Sequence, residues 1–156
     1  MAPDASVEST RGRRLRVAVV APAYNEQGKI GRVVEKVLAV APTLPCAVTM
    51  VAVDDCSQDA TSAEARAAGA VVLRHERNRG VGAGIRTGID WARKGGFDVV
   101  AVISGDDQHE PTELGRLLAP IVSGEADFVQ GSRWLPGGRV ESIPFSRRIL
   151  THLYAW

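Results

Sequence analysis

Five short apolar runs alternate with four stretches of helical periodicity along this chain, and no other feature narrows its fold as far. The runs are "LRVAVVA" (15–21), "AVTMVAV" (47–53), "AVVLRH" (70–75), "DVVAVIS" (98–104) and "DFVQGSR" (127–133). The first is mostly β-branched and continuous, the pattern of a strand buried in a parallel sheet. After it, "KIGRVVEKVLAVA" (29–41) sets Ile30, Val33, Val34, Val37 and Leu38 at helical spacing, with Lys29, Arg32, Glu35 and Lys36 opposite. Pro42 and Pro45 stop that helix. "DATSAEARAAG" (59–69) predicts a second helix, with Thr61 and Glu64 spaced as a capping box and Gly69 as the stop. A third helix, "GAGIRTGIDWARKGG" (82–96), ends in a glycine pair. In the fourth, "PTELGRLLAPIVSG" (111–124), Pro111 opens the first turn and Leu114, Leu117, Leu118, Ile121 and Val122 face inward. The order β-α-β-α-β-α-β-α-β predicts an α/β fold, a mostly parallel sheet with helices on both faces.

The 156 residues suit one domain with one core. A net charge of +1 and 5% aromatic content give no basic, aromatic-studded face, so nucleic acid is not an expected partner. Cys46 and Cys56 are too few for a disulfide framework and are expected as reduced thiols of a cytoplasmic protein. No apolar run reaches the roughly 18–20 residues of a membrane-spanning helix. Residues 1–15 read as a disordered polar arm, basic at its end.

In open α/β sheets, ligands sit beyond the carboxyl ends of the strands. Here those ends carry "PAYNE", "DDCSQD", "HERNRGVGAG", "GDDQHEP" and "GSRW" in turn. Each alone is explained by turn or helix-cap chemistry. Together, at one sheet edge, they exceed what turns require. Hard cations such as Mg²⁺ or Mn²⁺ prefer carboxylate oxygens and share a ligand's phosphates with the protein. Asp106, with Gln108 two residues on, can offer oxygens to such an ion. Asp54 or Asp55 can accept hydrogen bonds from a base or ribose, Gly80, Gly82 and Gly84 allow close backbone approach, and Arg133 can balance phosphate charge. The inventory fits a metal-bridged nucleotide diphosphate. No G-x-G-x-x-G follows the first strand, as a Rossmann dinucleotide site needs.

In their order, "VVAPAYNEQGKIGRVVEKVL", "VAVDDCSQDAT", "NRGVGAGIRTGI", "SGDDQHEP" and "DFVQGSRW" resemble the GT-A-fold family 2 glycosyltransferases, in particular the dolichyl-phosphate mannose synthase and polyprenyl-phosphate glycosyltransferase group. The resemblance runs from about Val17 to Trp134. It implies a GT-A nucleotide-sugar-binding domain over 16–134, and a loop with the start of a truncated acceptor-side helix over 135–156. It implies that Pro22, Tyr24 and Glu26 line the nucleotide pocket, that Val53 and Asp55 hold base and ribose, and that Asp54 supports the loop. Asp106 matches the second aspartate of a DxD metal motif and is the expected catalytic residue, Gln108 lies near the metal, and Arg133 contacts the donor diphosphate. The first DxD position is Ser104, so the motif reads Ser104-Gly105-Asp106, and a neutral hydroxyl shifts the metal's dependence onto Asp106.

The implied activity is inverting transfer of a sugar from a GDP or UDP donor to a polyprenyl or dolichyl phosphate, with Mg²⁺ or Mn²⁺ as cofactor. The expected setting is the cytoplasm, at the cytoplasmic membrane surface. Peripheral membrane contact through Arg147, Arg148, Leu153, Tyr154 and Trp156, and a second copy or complementing chain, fit the same reading. The alternative is a truncated, non-catalytic module of the same fold that binds nucleotide or a partner.

Overall fold

The computed structural model describes residues 13–107 and 111–132. Among these, four strands and four α-helices alternate: β1 (Arg16–Ala23), α1 (Ile30–Val40), β2 (Ala47–Asp54), α2 (Thr61–Ala67), β3 (Val71–Arg74), α3 (Val81–Lys94), β4 (Val99–Val102) and α4 (Leu114–Val122). The strands form one sheet in the order β3-β2-β1-β4. Every pairing is parallel, with Val17 opposite both Val48 and Val99. The α/β expectation therefore holds.

Strand alternation sorts the core into two halves. Val17, Val19, Ala21, Met50 and Ala52 face one way, against Ile30, Val33, Val34 and Val37 of α1 and Leu114 and Leu118 of α4. Ala18, Val20, Val51 and Val53 face the other way, against Ala92, Trp91 and Phe97. The apolar stripe of α1 is thus buried as its spacing predicts, and Arg32, Glu35 and Lys36 stay exposed.

Small residues bring α3 close to the sheet. A methyl group at Gly88 would stand 2.3 Å from Val20 Cγ1, and one at Gly84 would stand 3.0 Å from Pro22 Cβ. Gly84 thus serves helix-on-strand packing. At the far end of α3, Gly96 adopts φ +67° and Arg16 donates to the carbonyls of Gly95 and Gly96 at 2.9 and 3.2 Å. The same guanidinium lies 4.4 Å over the Phe97 ring, while the backbone N–H of Arg16 donates to Asp98. Those contacts fasten the sheet at the end remote from the polar junctions.

Three local expectations need correction. The capping box on α2 does not form: Ala60 holds the N-cap position without a side-chain bond, because Thr61 and Glu64 are engaged elsewhere. The fourth helix begins as a 3₁₀ turn at Pro111–Glu113. The fifth run forms no strand over 127–132, and Phe128 is 80% exposed. That stretch pairs with no strand among the described residues, so its backbone has no ladder to join.

Gly88→Ala gains helix propensity of about 1 kcal/mol but forces a methyl into a buried valine, so a net loss of about 1–2 kcal/mol is expected. Urea denaturation should show it, with part recovered when Val20→Ala is added. A Gly88→Ala variant as stable as the parent would mean that α3 sits farther from β1.

Candidate functional site at the carboxyl edge of the sheet

Strand order reverses direction between β1 and β4, because the chain steps outward from β1 to β3 and then returns to β1's other side. A crevice opens at such a switch point, outside the strands' carboxyl ends. Pro22 lies at the end of β1 with Tyr24 and Glu26 after it, Asp54 ends β2 with Asp55 next, His75 follows β3, and Ser104 to Asp107 follow β4. The ends are in direct contact. The Asp55 N–H donates to Ala23 O at 2.9 Å, and a methyl at Gly105 would lie 2.9 Å from Pro22 O. Glycine is therefore required between Ser104 and Asp106 for β4's end to lie against β1.

The loop after β1 is held by side chains of the loop after β2 and of α2. Four consecutive amides are accepted in turn: Asn25 by Ser57 Oγ (2.9 Å), Glu26 by Thr61 Oγ1 (2.8 Å), Gln27 by Asp59 Oδ2 (3.1 Å) and Gly28 by Glu64 Oε2 (2.6 Å). In return, Asn25 Oδ1 accepts from Gln58 N and Gln27 Oε1 from Ala60 N. These bonds fix the backbone carrying Tyr24, whose own side chain is 47% exposed.

Asp54 and Asp55 are 1% and 3% exposed and serve opposite faces. Asp54 accepts from Ser57 N at 2.8 Å and from Ser62 Oγ, and pairs with Arg74 Nη1 at 3.1 Å. Asp55 accepts from His75 Nδ1 at 2.6 Å, from Arg79 N at 2.9 Å and from Gly80 N at 2.7 Å. Burial pushes both carboxyls up, but the hydrogen bonds outweigh it, from Ser57 and Ser62 on Asp54 and from His75, Arg79 and Gly80 on Asp55, leaving both below the ordinary value.

At the end of β4, Asp107 pairs with Lys36 at 2.8 Å and Arg32 at 3.3 Å, which hold its carboxyl low. Lys29 bonds to Glu26 at 2.9 Å, which raises its pKa, and its charge also feels Asp106. The Asp106 N–H points to Ser104 Oγ across a long 3.5 Å. Among the described residues, the non-glycine residues of positive φ are Asn25, Cys56 and Asp107, all at this edge.

Among the described residues no group of three His, Cys, Asp or Glu side chains could cage a metal alone. A strand-end carboxylate at Asp106, with a hydroxyl two residues before it, suits a hard cation that takes its other ligands from phosphate and water. The donor chemistry fits Mg²⁺ or Mn²⁺ on those terms.

Residues 18–155 match the family model described as Glycosyl transferase family 2. The chain belongs to that family. Among the relatives of this family 2 chain, polyprenol monophosphomannose synthase of Mycolicibacterium smegmatis is 34% identical over 87% of this chain and 52% of its own. Undecaprenyl-phosphate mannosyltransferase of Micrococcus luteus is 32% identical over 88% of this chain and 56% of its own. The chain spans about half the length of these curated relatives. A solved structure, glucosyl-3-phosphoglycerate synthase from Mycobacterium tuberculosis in complex with Mn²⁺, UDP-glucose and phosphoglyceric acid, superposes with a TM-score of 0.60 at 25% identity, over 76% of this chain and 42% of that one.

In this family 2 chain, Pro22, Tyr24, Glu26, Val53, Asp54, Asp55, Ser104, Gly105 and Asp106 gather at one edge. Val53 is fully buried, its side chain in the core beneath α3. Gln108 and Arg133 lie outside the described residues. The sequence did not single out His75, Ser57 or Asp59, and it pointed to Glu64 only as a helix-capping residue. Their signal was weak, since each is an ordinary loop or helix residue until its partner across the fold is known. Cys46 and Cys56 are free thiols, and no described helix is long and apolar enough to cross a membrane.

The depressed carboxyls of Asp54 and Asp55 give the fold an acid limit. In the unfolded chain both titrate near about 4. Above that pH their stabilisation is complete, and it is lost as pH falls through the lower folded values. Urea midpoints should therefore drop steeply below about pH 4, and Asp54→Asn should flatten part of that slope. An unchanged slope would show that Asp54 does not carry the effect.

Proposed function

We propose that this family 2 chain binds a nucleotide-diphosphate sugar at the carboxyl edge of its sheet and belongs to an inverting glycosyltransferase whose acceptor is a polyprenyl-type lipid phosphate. The observation that carries the reading is the contact between the ends of β1 and β4, where Gly105 seats Asp106 beside the loop of Pro22, Tyr24 and Glu26. Tyr24 offers an exposed ring for a base. Asp55 has both oxygens taken, one by His75 and Arg79 and the other by Arg79 and Gly80, so it would shape the base and ribose pocket through the 79–80 turn. Asp106, with Ser104 and Gln108, is the set that would hold Mg²⁺ or Mn²⁺, and Arg133 is the cation assigned to the diphosphate. Asp107 is committed to Arg32 and Lys36.

Bound there, a divalent cation supplies Lewis-acid stabilisation of the charge gathering on the departing diphosphate. The chain's part is to orient the donor and to present the Asp106 carboxyl toward it. A phosphate acceptor is itself nucleophilic, so no protein base is needed to activate it. The lipid-phosphate acceptor is supported by the names of the mycobacterial and micrococcal relatives, and the metal and a UDP donor by the Mn²⁺ and UDP-glucose of the solved neighbour. A lipid acceptor would bring the reaction to a membrane surface.

Calorimetric titration with GDP and with UDP, each with and without Mn²⁺, tests the donor site. One nucleotide should bind in a metal-dependent way. Asp106→Ala should weaken it on the order of 10–100-fold, as loss of a metal-site group does, and Asp107→Ala should cost less. Equal effects from both variants would overturn the Asp106 assignment. A folded chain that binds neither nucleotide would favour the non-catalytic reading, with Ser104 in place of an aspartate as its motive.

A further inference from the structure

His75 is a buried titratable side chain to which the proposed chemistry gives no role. It is 8% exposed, and both ring nitrogens are bonded. Nδ1 lies 2.6 Å from Asp55 Oδ1 and Nε2 lies 2.9 Å from Thr87 Oγ1 on α3. Asp55 is the acceptor at Nδ1, so Nδ1 carries the proton. The Thr87 hydroxyl then donates to Nε2 of a neutral ring or accepts from a protonated one.

The other atoms bonded to Asp55 show what this arrangement controls. Its carboxylate takes the amides of Arg79 and Gly80, the last two residues before α3. Gly80 stands at φ +84° with nothing within 4 Å of the position its side chain would fill. Steric contact at that position does not hold the turn; hydrogen bonds do, both amides donating to Asp55 and Gly80 N also to Asn78 Oδ1 at 3.2 Å. His75 in turn restrains Asp55, and Thr87 restrains His75 from farther along the helix that the turn begins. The circuit is closed: the end of β2, the end of β3 and two points of α3 are tied through one imidazole.

We infer that His75 is a positioning residue for the donor pocket, holding Asp55 and through it the 79–80 turn in the geometry a nucleotide meets. This rests on the donor-site reading for its consequence but not for its mechanism. Removing the imidazole frees Asp55 to rotate toward solvent and loosens the turn. Asparagine can place an amide N–H near the position of Nδ1, so His75→Asn keeps the bond to Asp55 while losing Thr87.

The test compares wild type, His75→Ala, His75→Asn and Thr87→Val, each first shown to be folded by circular dichroism. Amide exchange in the ligand-free protein reads the clamp directly. Arg79 and Gly80 should exchange faster in His75→Ala, with the β1–β2 ladder unchanged, and His75→Asn should restore most of the protection. In calorimetry, nucleotide affinity should fall about two- to tenfold in His75→Ala, the span of one hydrogen bond's net contribution, and recover in His75→Asn. Thr87→Val should shift both readouts in the same direction by less, and serves if His75→Ala does not fold. Unchanged exchange at Arg79 and Gly80, or a His75→Asn variant no better than His75→Ala, overturns the inference. A wild-type chain that binds no nucleotide overturns the donor-site reading instead, while the exchange rates still decide the clamp.

Discussion

Two carboxylates in succession, Asp54 and Asp55, are buried at the end of β2, and because neighbours on a strand point to opposite faces they reach opposite loops. Isolated in such surroundings, either charge would be untenable. Each is instead saturated by donors from the segment it organises: Ser57, Ser62 and Arg74 on one side, His75, Arg79 and Gly80 on the other. The loop after β2 and the start of α2 then hold four amides of the loop after β1. Most of the polar edge therefore hangs on one dipeptide. Truncating either carboxylate would strand buried donors as well as remove a charge, which is why the cost would exceed that of one surface ion pair.

The two faces of the sheet reach the same end by different means. On the α1 side, large aliphatic side chains fill the space between helix and strands. On the α3 side, Gly84 and Gly88 remove side chains so that the helix lies almost on β1 and β2. That closeness brings Thr87 within reach of His75.

The elements were legible because burial on two faces demands apolar runs and burial on one face demands helical spacing, and both patterns survive without tertiary knowledge. Val17 to Ala21 and Ile30 to Val37 are examples. The gathering of polar residues at the carboxyl edge was legible too, since they follow each of the four described strands. What one residue did there was less so. Thr61 and Glu64 have capping-box spacing, and local rules assign them to their own helix; the fold gives them to Glu26 and Gly28, more than thirty residues away. Asp55 could be read as a ligand but not as a clamp, because Arg79 and Gly80 meet it only after β3 has been laid beside β2. The run at 127–133 has strand composition, but composition does not supply a pairing partner.

Asn25, Cys56 and Asp107 share a left-handed backbone, the region L-residues avoid by roughly 1–2 kcal/mol, with Asn and Asp the better tolerated. They stand after β1, β2 and β4, so the edge assigned to the ligand is also where the described residues carry this conformational strain. Glycine at Cys56 would relieve part of that strain while slackening the loop that it shapes, whereas at Asp107 it would also remove the partner of Arg32 and Lys36. In this fold robustness and preorganisation compete at the same edge.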